Sequence, residues 1–208
     1  MRDIIKLALF LLTVTGVAGA GLSYVNGLTG PLIEKQILQQ KIDGFKEVYP
    51  QGDKVENESA NYLKDPHDPG LKEVNIAYRN GIPAGVIYAV ESKGYSGPIS
   101  LLAGFDIATA KITAIKILSQ RETPGLGAKA QESSFQDRYK NKNSAEALEV
   151  TKKAPARENQ IEAITASTIT TKAVTKAVNA AREHFTIHFA KAKQPGLIRP
   201  GGTQDEPI

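Results

Sequence analysis

Four hydroxyl side chains crowd a short run of the sequence just before an amphipathic helix. They are Thr165, Ser167, Thr168 and Thr170. Apolar residues recur every three or four positions from Ile169 onward, which predicts that the helix begins near Thr168. Hydroxyls in a first turn can cap backbone N–H groups that lack intrahelical partners. The same N–H groups and the helix dipole attract phosphate, so spacing alone favours capping and leaves a phosphorylated ligand as the alternative.

Residues 162–168, Glu-Ala-Ile-Thr-Ala-Ser-Thr, resemble a known attachment motif. The motif is Asp-x-x-Ser/Thr-Gly-Ala-Thr, from the FMN-binding domains in the G subunits of Rnf electron-transport complexes. In that family the last threonine carries FMN through a phosphoester bond, which implies covalent FMN on Thr168. Three positions depart from the motif: Glu162 stands for Asp, Ala166 for Gly and Ser167 for Ala. The acceptor hydroxyl is kept.

Two further stretches are similar to the Rnf G subunit in order and spacing. They are Gly-Tyr-Ser-Gly-Pro-Ile at residues 94–99 and Arg-Glu-Thr-Pro-Gly-Leu-Gly at residues 121–127. The second is shared with the C subunit of the sodium-pumping quinone reductase, whereas the first is more similar to the Rnf version. In the family the second stretch lies against the flavin. The resemblance therefore implies FMN contacts from Gly94, Tyr95, Ser96, Glu122, Thr123, Gly125, Leu126, Gly127, Thr165, Ala166, Ser167, Ile169 and Thr170, beside the covalent site at Thr168.

Glu122 is the acid that the motifs single out for chemistry. It precedes a Pro-Gly turn in which Gly125 is free to take a positive φ. Its carboxylate either lies beside the flavin or accepts the N–H groups of its own turn, and both interpretations stay open. Thr168 has no histidine nearby in sequence to act as a base, which is typical of a residue modified by another enzyme. In the family, a separate flavin transferase supplies FMN from FAD.

The composition limits the kinds of cofactor and partner. The chain has 208 residues, 41% of them hydrophobic, which suits one compact domain with attachments. It has no cysteine, so its own side chains cannot form disulfides or a cysteine-ligated iron–sulfur cluster. The net charge of +4 is mild and no dense basic stripe with interleaved aromatics is present, so we expect no nucleic-acid binding.

An apolar run from Leu7 to Val25 approaches the length of about twenty residues that spans a bilayer core. Arg2 and Lys6 precede it, which by the positive-inside rule predicts a cytoplasmic N-terminus, a single pass through the inner or plasma membrane, and a flavin domain outside. The alternative is a cleaved signal peptide ending at the small residues 18–20. We favour the retained anchor, since the apolar run continues past them.

The remaining elements follow from periodicity. Pro31 predicts the start of an amphipathic helix of mixed charge that ends before Pro50, and the composition of residues 51–70 predicts a polar surface loop. Alternation and an Asn-Gly turn predict antiparallel strands at residues 74–78, 82–90, 99–105 and 111–118, then a short helix at 131–139 and an edge strand at 147–150. The two motif loops are expected to meet at one mouth.

The predicted fold class is α+β: one N-terminal transmembrane helix, then an extracytoplasmic domain in which helices pack on an antiparallel sheet. The expected division is a transmembrane anchor at 1–27, an amphipathic connecting helix at 28–50, an FMN-binding domain at 51–193 and a disordered tail at 194–208. His184 and His188 lie four apart on the last helix, a spacing that can bind zinc, but His67 is distant and no His-Glu-x-x-His motif is present. We expect no metal there and a solvated helix end instead.

The leading hypothesis is an electron-carrying flavoprotein subunit of an ion-translocating ferredoxin:NAD oxidoreductase, the Rnf complex, without independent catalysis. Its expected partners are the other subunits of that complex and a flavin transferase. The alternatives are a flavoprotein like the C subunit of a sodium-pumping NADH:quinone reductase, a free-standing membrane-tethered flavin reductase, and a tethered non-redox module whose hydroxyls only cap a helix. The sequence has no Gly-x-Gly-x-x-Gly fingerprint and no acid–base set for substrate chemistry, which favours the electron carrier.

Overall fold

The computed structural model describes residues 1–63, 70–153 and 157–190. The chain divides into two compact units, Met1–Ile42 and Asp43–Ile208. The first unit consists of most of the long helix α1, Arg2–Val48. The second unit contains the last turns of α1 and all the remaining elements, and it carries the motif residues.

Helix α1 is one continuous helix, and it is long and apolar enough to cross a membrane. It runs through Pro31, so the prediction that a separate helix starts there is wrong. Proline's φ of about −65° is itself helical. What proline removes is one N–H, which would otherwise bond the carbonyl of Gly27. The preceding turn is already helical, and one missing bond does not end the helix.

A five-stranded antiparallel sheet forms the centre of the second unit. Its strands lie side by side in chain order: β1 Lys54–Asn57, β2 Leu71–Arg79, β3 Ile82–Lys93, β4 Pro98–Asp106 and β5 Lys111–Ser119. The predicted antiparallel sheet is thus confirmed, with longer strands. Asn80 and Gly81, both with positive φ, make the turn between β2 and β3 that an Asn-Gly pair favours.

Helices and short segments complete the unit. They are α2 Ser59–Tyr62, a 3₁₀ turn at Gly127–Gln131, α3 Ser133–Gln136, a second 3₁₀ turn at Asp137–Tyr139, strands β6 Glu149–Thr151 and β7 Gln160–Glu162, helix α4 Thr168–Phe185 and a π-helical turn at Thr186–Ala190. Strand β1 and helix α2 lie where a polar loop was predicted. The strand predicted at 147–150 was expected at the edge of the main sheet, and this is wrong. The strand found there, β6, pairs in parallel with β7 in a separate small sheet.

The core lies on both faces of the sheet. Helix α4 covers one face, where Phe185 stacks on Phe105 with ring centroids 4.9 Å apart. The end of α1 covers the other face through Val48 and Tyr49. Gly85 permits this second contact, because a Cβ there would overlap the Tyr49 ring. Packing of α4 on the sheet fixes its position, and its first residue, Thr168, is the last residue of the attachment motif.

Candidate functional site

A tight turn leads from the small sheet into helix α4. The Ser167 amide donates to the Ile164 carbonyl at 2.9 Å, and Ala166 takes a left-handed φ of 61°. That conformation is the one a glycine adopts at no steric cost, and glycine is what the family motif has at this position. The first intrahelical bond runs from the Thr171 amide to the Ser167 carbonyl at 3.1 Å. The helix thus begins at Thr168, as the apolar spacing predicted.

The hydroxyls of this turn have different partners. The Thr170 hydroxyl donates to Glu122 Oε2 at 2.5 Å. The Thr171 hydroxyl is fully buried, accepts from the Ile164 amide at 3.0 Å and donates to the Ser167 carbonyl at 3.1 Å. The Ser167 side chain makes no capping bond to any described residue, contrary to the capping expected from spacing. Thr168 is half-buried, and its hydroxyl has no hydrogen bond within the described ranges.

Glu122 connects the two motif loops to the helix. Its side chain is 6% exposed, and Oε1 accepts the Ser96 amide at 2.9 Å. The carboxylate therefore accepts from neighbouring segments rather than from its own turn, and it lines the same cavity as Thr168. Both loops approach closely, because a Cβ on Gly94 would lie 2.5 Å from Oε1 and one on Gly127 would lie 2.6 Å from Oε2.

A cavity of about 460 Å³ opens between these segments. Its lining comes from all three motif stretches: Tyr95, Glu122, Thr123, Leu126, Gly127, Ala166, Ser167, Thr168, Ile169 and Thr170. Three apolar side chains at its mouth stay exposed: Tyr95 at 71%, Ile169 at 55% and Leu126 at 42%. The cavity thus combines apolar walls with a few polar groups, the usual composition of a ligand pocket.

Every residue that lines the cavity is one that the sequence had singled out. The remaining four predicted contacts lie elsewhere. Gly94 and Ser96 contact Oε1 of Glu122 but do not line the cavity. Gly125 lies in the turn of the 121–127 loop, with a φ of 75°. Thr165 is exposed and lines a separate cleft. The structure therefore brings the three motif stretches together and turns Thr165 away from the cavity.

Sequence reasoning missed the residues that support the site from behind. The Gln120 side chain accepts the amide of Glu122 in a short hydrogen bond. Arg138 Nη1 donates to the Glu162 carbonyl at 2.6 Å and so holds the strand that leads into the attachment motif. Arg138 is 24 positions from its partner, and its neighbours in sequence carry no motif. Nothing local in the sequence could have identified it.

The expectation of a solvated helix end is wrong for His184, which is buried, whereas His188 in the following π-helical turn is exposed. The His184 side chain is 6% exposed, its Nδ1 lies 3.0 Å from the Tyr88 hydroxyl, and its ring lies 4.2 Å from that of His188. Aromatic packing buries it, since Tyr62 also contacts both rings edge-on. Within residues 1–63, 70–153 and 157–190, no group of three or more metal-binding side chains is found. His67 and the tail at 194–208 lie outside those ranges.

The cavity fits a flavin mononucleotide by size, walls and electrostatics. Its volume of about 460 Å³ falls within the ~300–1,000 Å³ typical of ligand pockets. The exposed apolar rim offers flat surface to an aromatic ring system. The first turn of α4, an 18-residue helix, directs its free N–H groups and positive dipole end at the same space, where a phosphate would be stabilised.

The comparisons with known proteins agree with this geometry. Residues 94–183 match the family model of the FMN-binding domain. The chain is 35% identical over 193 residues to the G subunit of the sodium-translocating ferredoxin:NAD⁺ oxidoreductase complex of Acetobacterium woodii, covering 86% of this chain and 89% of the relative. It is also 35% identical over 176 residues to the G subunit of the proton-translocating complex of Clostridium ljungdahlii, covering 84% and 88%.

A solved structure gives the same fold. The C subunit of the sodium-translocating NADH–quinone reductase from Parabacteroides distasonis superposes with a TM-score of 0.50 at 26% identity, covering 59% of this chain and 64% of that one. The two types of subunit are related, which accounts for the loop motif they share. Because two relatives at 35% identity cover most of the sequence, the chain belongs to the G-subunit family of FMN-binding proteins from ion-translocating ferredoxin:NAD⁺ oxidoreductase complexes.

Proposed function

We propose that this protein carries FMN as a phosphoester on Thr168 and relays electrons within an ion-translocating ferredoxin:NAD⁺ oxidoreductase complex. Helix α1 anchors it in the membrane with the N-terminus in the cytoplasm and the flavin domain outside. The other subunits of the complex are its electron-transfer partners. A separate flavin transferase supplies the FMN from FAD: the threonine oxygen replaces AMP on the FMN phosphorus, and AMP and a proton leave.

The state of the Thr168 hydroxyl carries the proposal. It lines the cavity and has no hydrogen bond to any described residue, whereas Glu122 holds the hydroxyl of Thr170. The hydroxyl of Thr171 is buried and bonded at both its donor and its acceptor side. Thr168 therefore offers the most accessible threonine oxygen at the helix N-terminus that also faces the cavity.

The surrounding residues would bind the two halves of the cofactor differently. The free amides at the start of α4 stabilise the phosphate, since the helix dipole is positive there. Tyr95, Leu126 and Ile169 would offer apolar surface to the ring system and shield it from water. When bound, FMN supplies reversible electron transfer, which no side chain of this chain provides. The protein's part is to position and enclose the cofactor.

Intact mass spectrometry tests the attachment site directly. The protein, co-expressed with a flavin transferase, should carry the mass of one FMN ester, and Thr168→Ala should carry none. Thr165→Ala is the matched control and should keep the mass of the FMN ester, because it removes an exposed hydroxyl of the same motif that lies away from the cavity. Thr168→Ser should be partly flavinylated, since serine keeps the hydroxyl but lacks the methyl group that restricts the rotamer. Covalent FMN that persists in Thr168→Ala would disprove the assignment.

The membrane topology is tested by adding protease to intact, right-side-out cells from which any outer barrier has been removed. Arg2 and Lys6 precede the apolar part of α1 and favour a cytoplasmic N-terminus. We therefore expect degradation of the chain after residue 30. Full protection of the domain would place the flavin on the cytoplasmic side instead.

A further inference from the structure

The carboxylate of Glu122 is buried without a cationic partner. It is 6% exposed, and no Lys, Arg or His nitrogen within the described residues lies within the 4.0 Å of a salt bridge. Burying a carboxylate costs free energy unless hydrogen bonds compensate it. Its two oxygens therefore need hydrogen-bond donors from the surrounding chain.

Each oxygen of this carboxylate holds a different segment of the chain. Oε1 accepts the Ser96 amide, 26 positions away, and Oε2 accepts the Thr170 hydroxyl, 48 positions away. The two donors belong to the loop between β3 and β4 and to the first turn of α4. An ionised carboxylate is acceptor-only, so it satisfies both donors at once. Glu122 therefore connects the three segments that enclose the cavity.

The glycines around Glu122 show how closely this arrangement is packed. A Cβ on Gly94 would lie 2.5 Å from Oε1, and one on Gly127 would lie 2.6 Å from both Oε2 and the Thr170 hydroxyl oxygen. Backbone on both sides thus lies directly against the carboxylate. All of these contacts are made by atoms of the chain itself, so they can hold the three segments together in the flavin-free protein.

We propose that Glu122 is a positioning residue that assembles the flavin cavity before the cofactor is attached and keeps a negative charge in its wall. The first part concerns the flavin-free protein. The second part rests on the proposed function, because it concerns a bound flavin. Reduction adds electrons next to this charge, and a carboxylate in a partly dehydrated wall opposes that change more strongly than one in water. Glu122 thereby lowers the reduction potential of the site.

The first test uses the full chain produced without flavin transferase and shown by intact mass to carry no flavin. The readout is hydrogen–deuterium exchange at the Ser96 amide. Glu122→Ala removes the acceptor and should speed this exchange about tenfold or more. Glu122→Gln should stay near the parent rate, since its amide oxygen can accept from Ser96 while its NH₂ donates to Thr170. Glu132→Ala, which removes an exposed carboxylate outside the cavity lining, is the control.

Glu122→Asp repeats the test if Glu122→Ala does not fold. It keeps the charge but is one methylene too short to reach both donors, so the Ser96 amide should again exchange faster than in the parent. Exchange at the parent rate in the folded variant would overturn the positioning role. This outcome does not depend on where flavin is attached, so it is separate from any failure of the Thr168 assignment.

The second test measures the flavin midpoint potential in the flavinylated protein. Glu122→Gln keeps the shape and hydrogen bonds of the site but removes its charge, so the potential should shift upward. Glu132→Gln should leave it unchanged. An unchanged or lower potential in Glu122→Gln would overturn the electrostatic role, whereas absence of covalent flavin from the parent protein would instead disprove the proposed function.

Discussion

The two ends of helix α4 differ in how the space around them is packed. At its start, Thr168 and Glu122 border an open cavity of about 460 Å³. At its end, His184 and Phe185 are buried, and the Tyr88 hydroxyl meets the His184 ring. Large aromatic side chains pack closely at the second end, whereas the side chains at the first end surround a cavity.

This difference indicates which end stabilises the fold and which end binds a ligand. Close packing of large side chains contributes most to the free energy of unfolding, while an unfilled, partly apolar cavity contributes little and is available to a ligand. Changes at the aromatic end should therefore affect stability without altering the flavin. Changes at the cavity end should alter the flavin, whatever their effect on stability.

The largest expected effect is that of Phe185→Ala. It removes a fully buried ring stacked on Phe105, so the free energy of unfolding should fall by about 3–5 kcal/mol. In the folded protein the flavin spectrum should stay unchanged.

Ile169→Ala is the counterpart at the cavity end: this side chain is 55% exposed, so stability should change by less than about 1 kcal/mol while the flavin spectrum shifts. Urea denaturation measures the stability of the two variants, and absorption spectra report on their flavin. A changed flavin spectrum in Phe185→Ala would contradict the division between a stabilising end and a ligand-binding end.

A smaller effect is expected for Tyr88→Phe, which removes the hydroxyl bonded to His184. The free energy of unfolding should fall by about 1–3 kcal/mol at neutral pH, because a buried hydrogen-bonding group loses its partner. Burial raises the pKa of Tyr88 well above its ordinary value in the folded protein. The neutral phenol thus favours the folded state at low pH, and this contribution declines above about pH 10, where the unfolded phenol ionises.

The wild type and Tyr88→Phe should therefore differ less in their free energy of unfolding as the pH rises above about 10. Denaturant titrations of both proteins at pH 8 and at several alkaline pH values measure it. A difference that grows with pH would contradict the sign of the pKa shift.

Gly125→Val tests the cavity end through the backbone. Gly125 has a φ of 75°, and a Cβ there would meet nothing within 4 Å, so the cost of about 1–2 kcal/mol comes from the backbone conformation alone. Gly81→Val is a matched control, since Gly81 has a φ of 76° and equally open surroundings in the hairpin turn between β2 and β3. Both variants should lose similar stability, but only Gly125→Val should alter the flavin spectrum and potential. If Gly125→Val had the same flavin spectrum and potential as the parent protein, the 121–127 loop would be a structural turn only.

The smallest effect is expected for Ala166→Gly. Glycine relieves a left-handed φ of 61° but also adds freedom to the unfolded chain, and the two contributions of about 0.5–1 kcal/mol nearly cancel. Covalent attachment of FMN should not decrease, because the change restores the family residue. Ala110→Gly, in a turn with a φ of 53°, is the control for stability. Reduced flavinylation in Ala166→Gly would mean that the alanine methyl group helps attachment.

Prediction from sequence succeeded where the signal is local. Strand alternation, the Asn-Gly turn and the three-to-four spacing of α4 all depend on neighbouring residues, and each predicted the correct element. Strand β1 was missed because its four residues, Lys54–Asn57, include only one apolar side chain. Its backbone bonds to β2 define it as a strand, and those bonds come from residues about 20 positions away.

The sequence by itself determined strands β2 to β5, the start of helix α4 and the residues that line the cavity, because spacing and residue type are local properties of the chain. Only the tertiary structure decided how each of them is used. The hydroxyls of Thr170 and Thr171 bond Glu122 and Ile164, whereas the Thr168 hydroxyl has no hydrogen bond to any described residue, and Glu122 reaches Thr170 across 48 positions. His184 is buried for the same kind of reason: its partner Tyr88 lies 96 positions away. Hydrogen-bond partners over such separations follow from the folded sheet and helix together, and no local pattern encodes them.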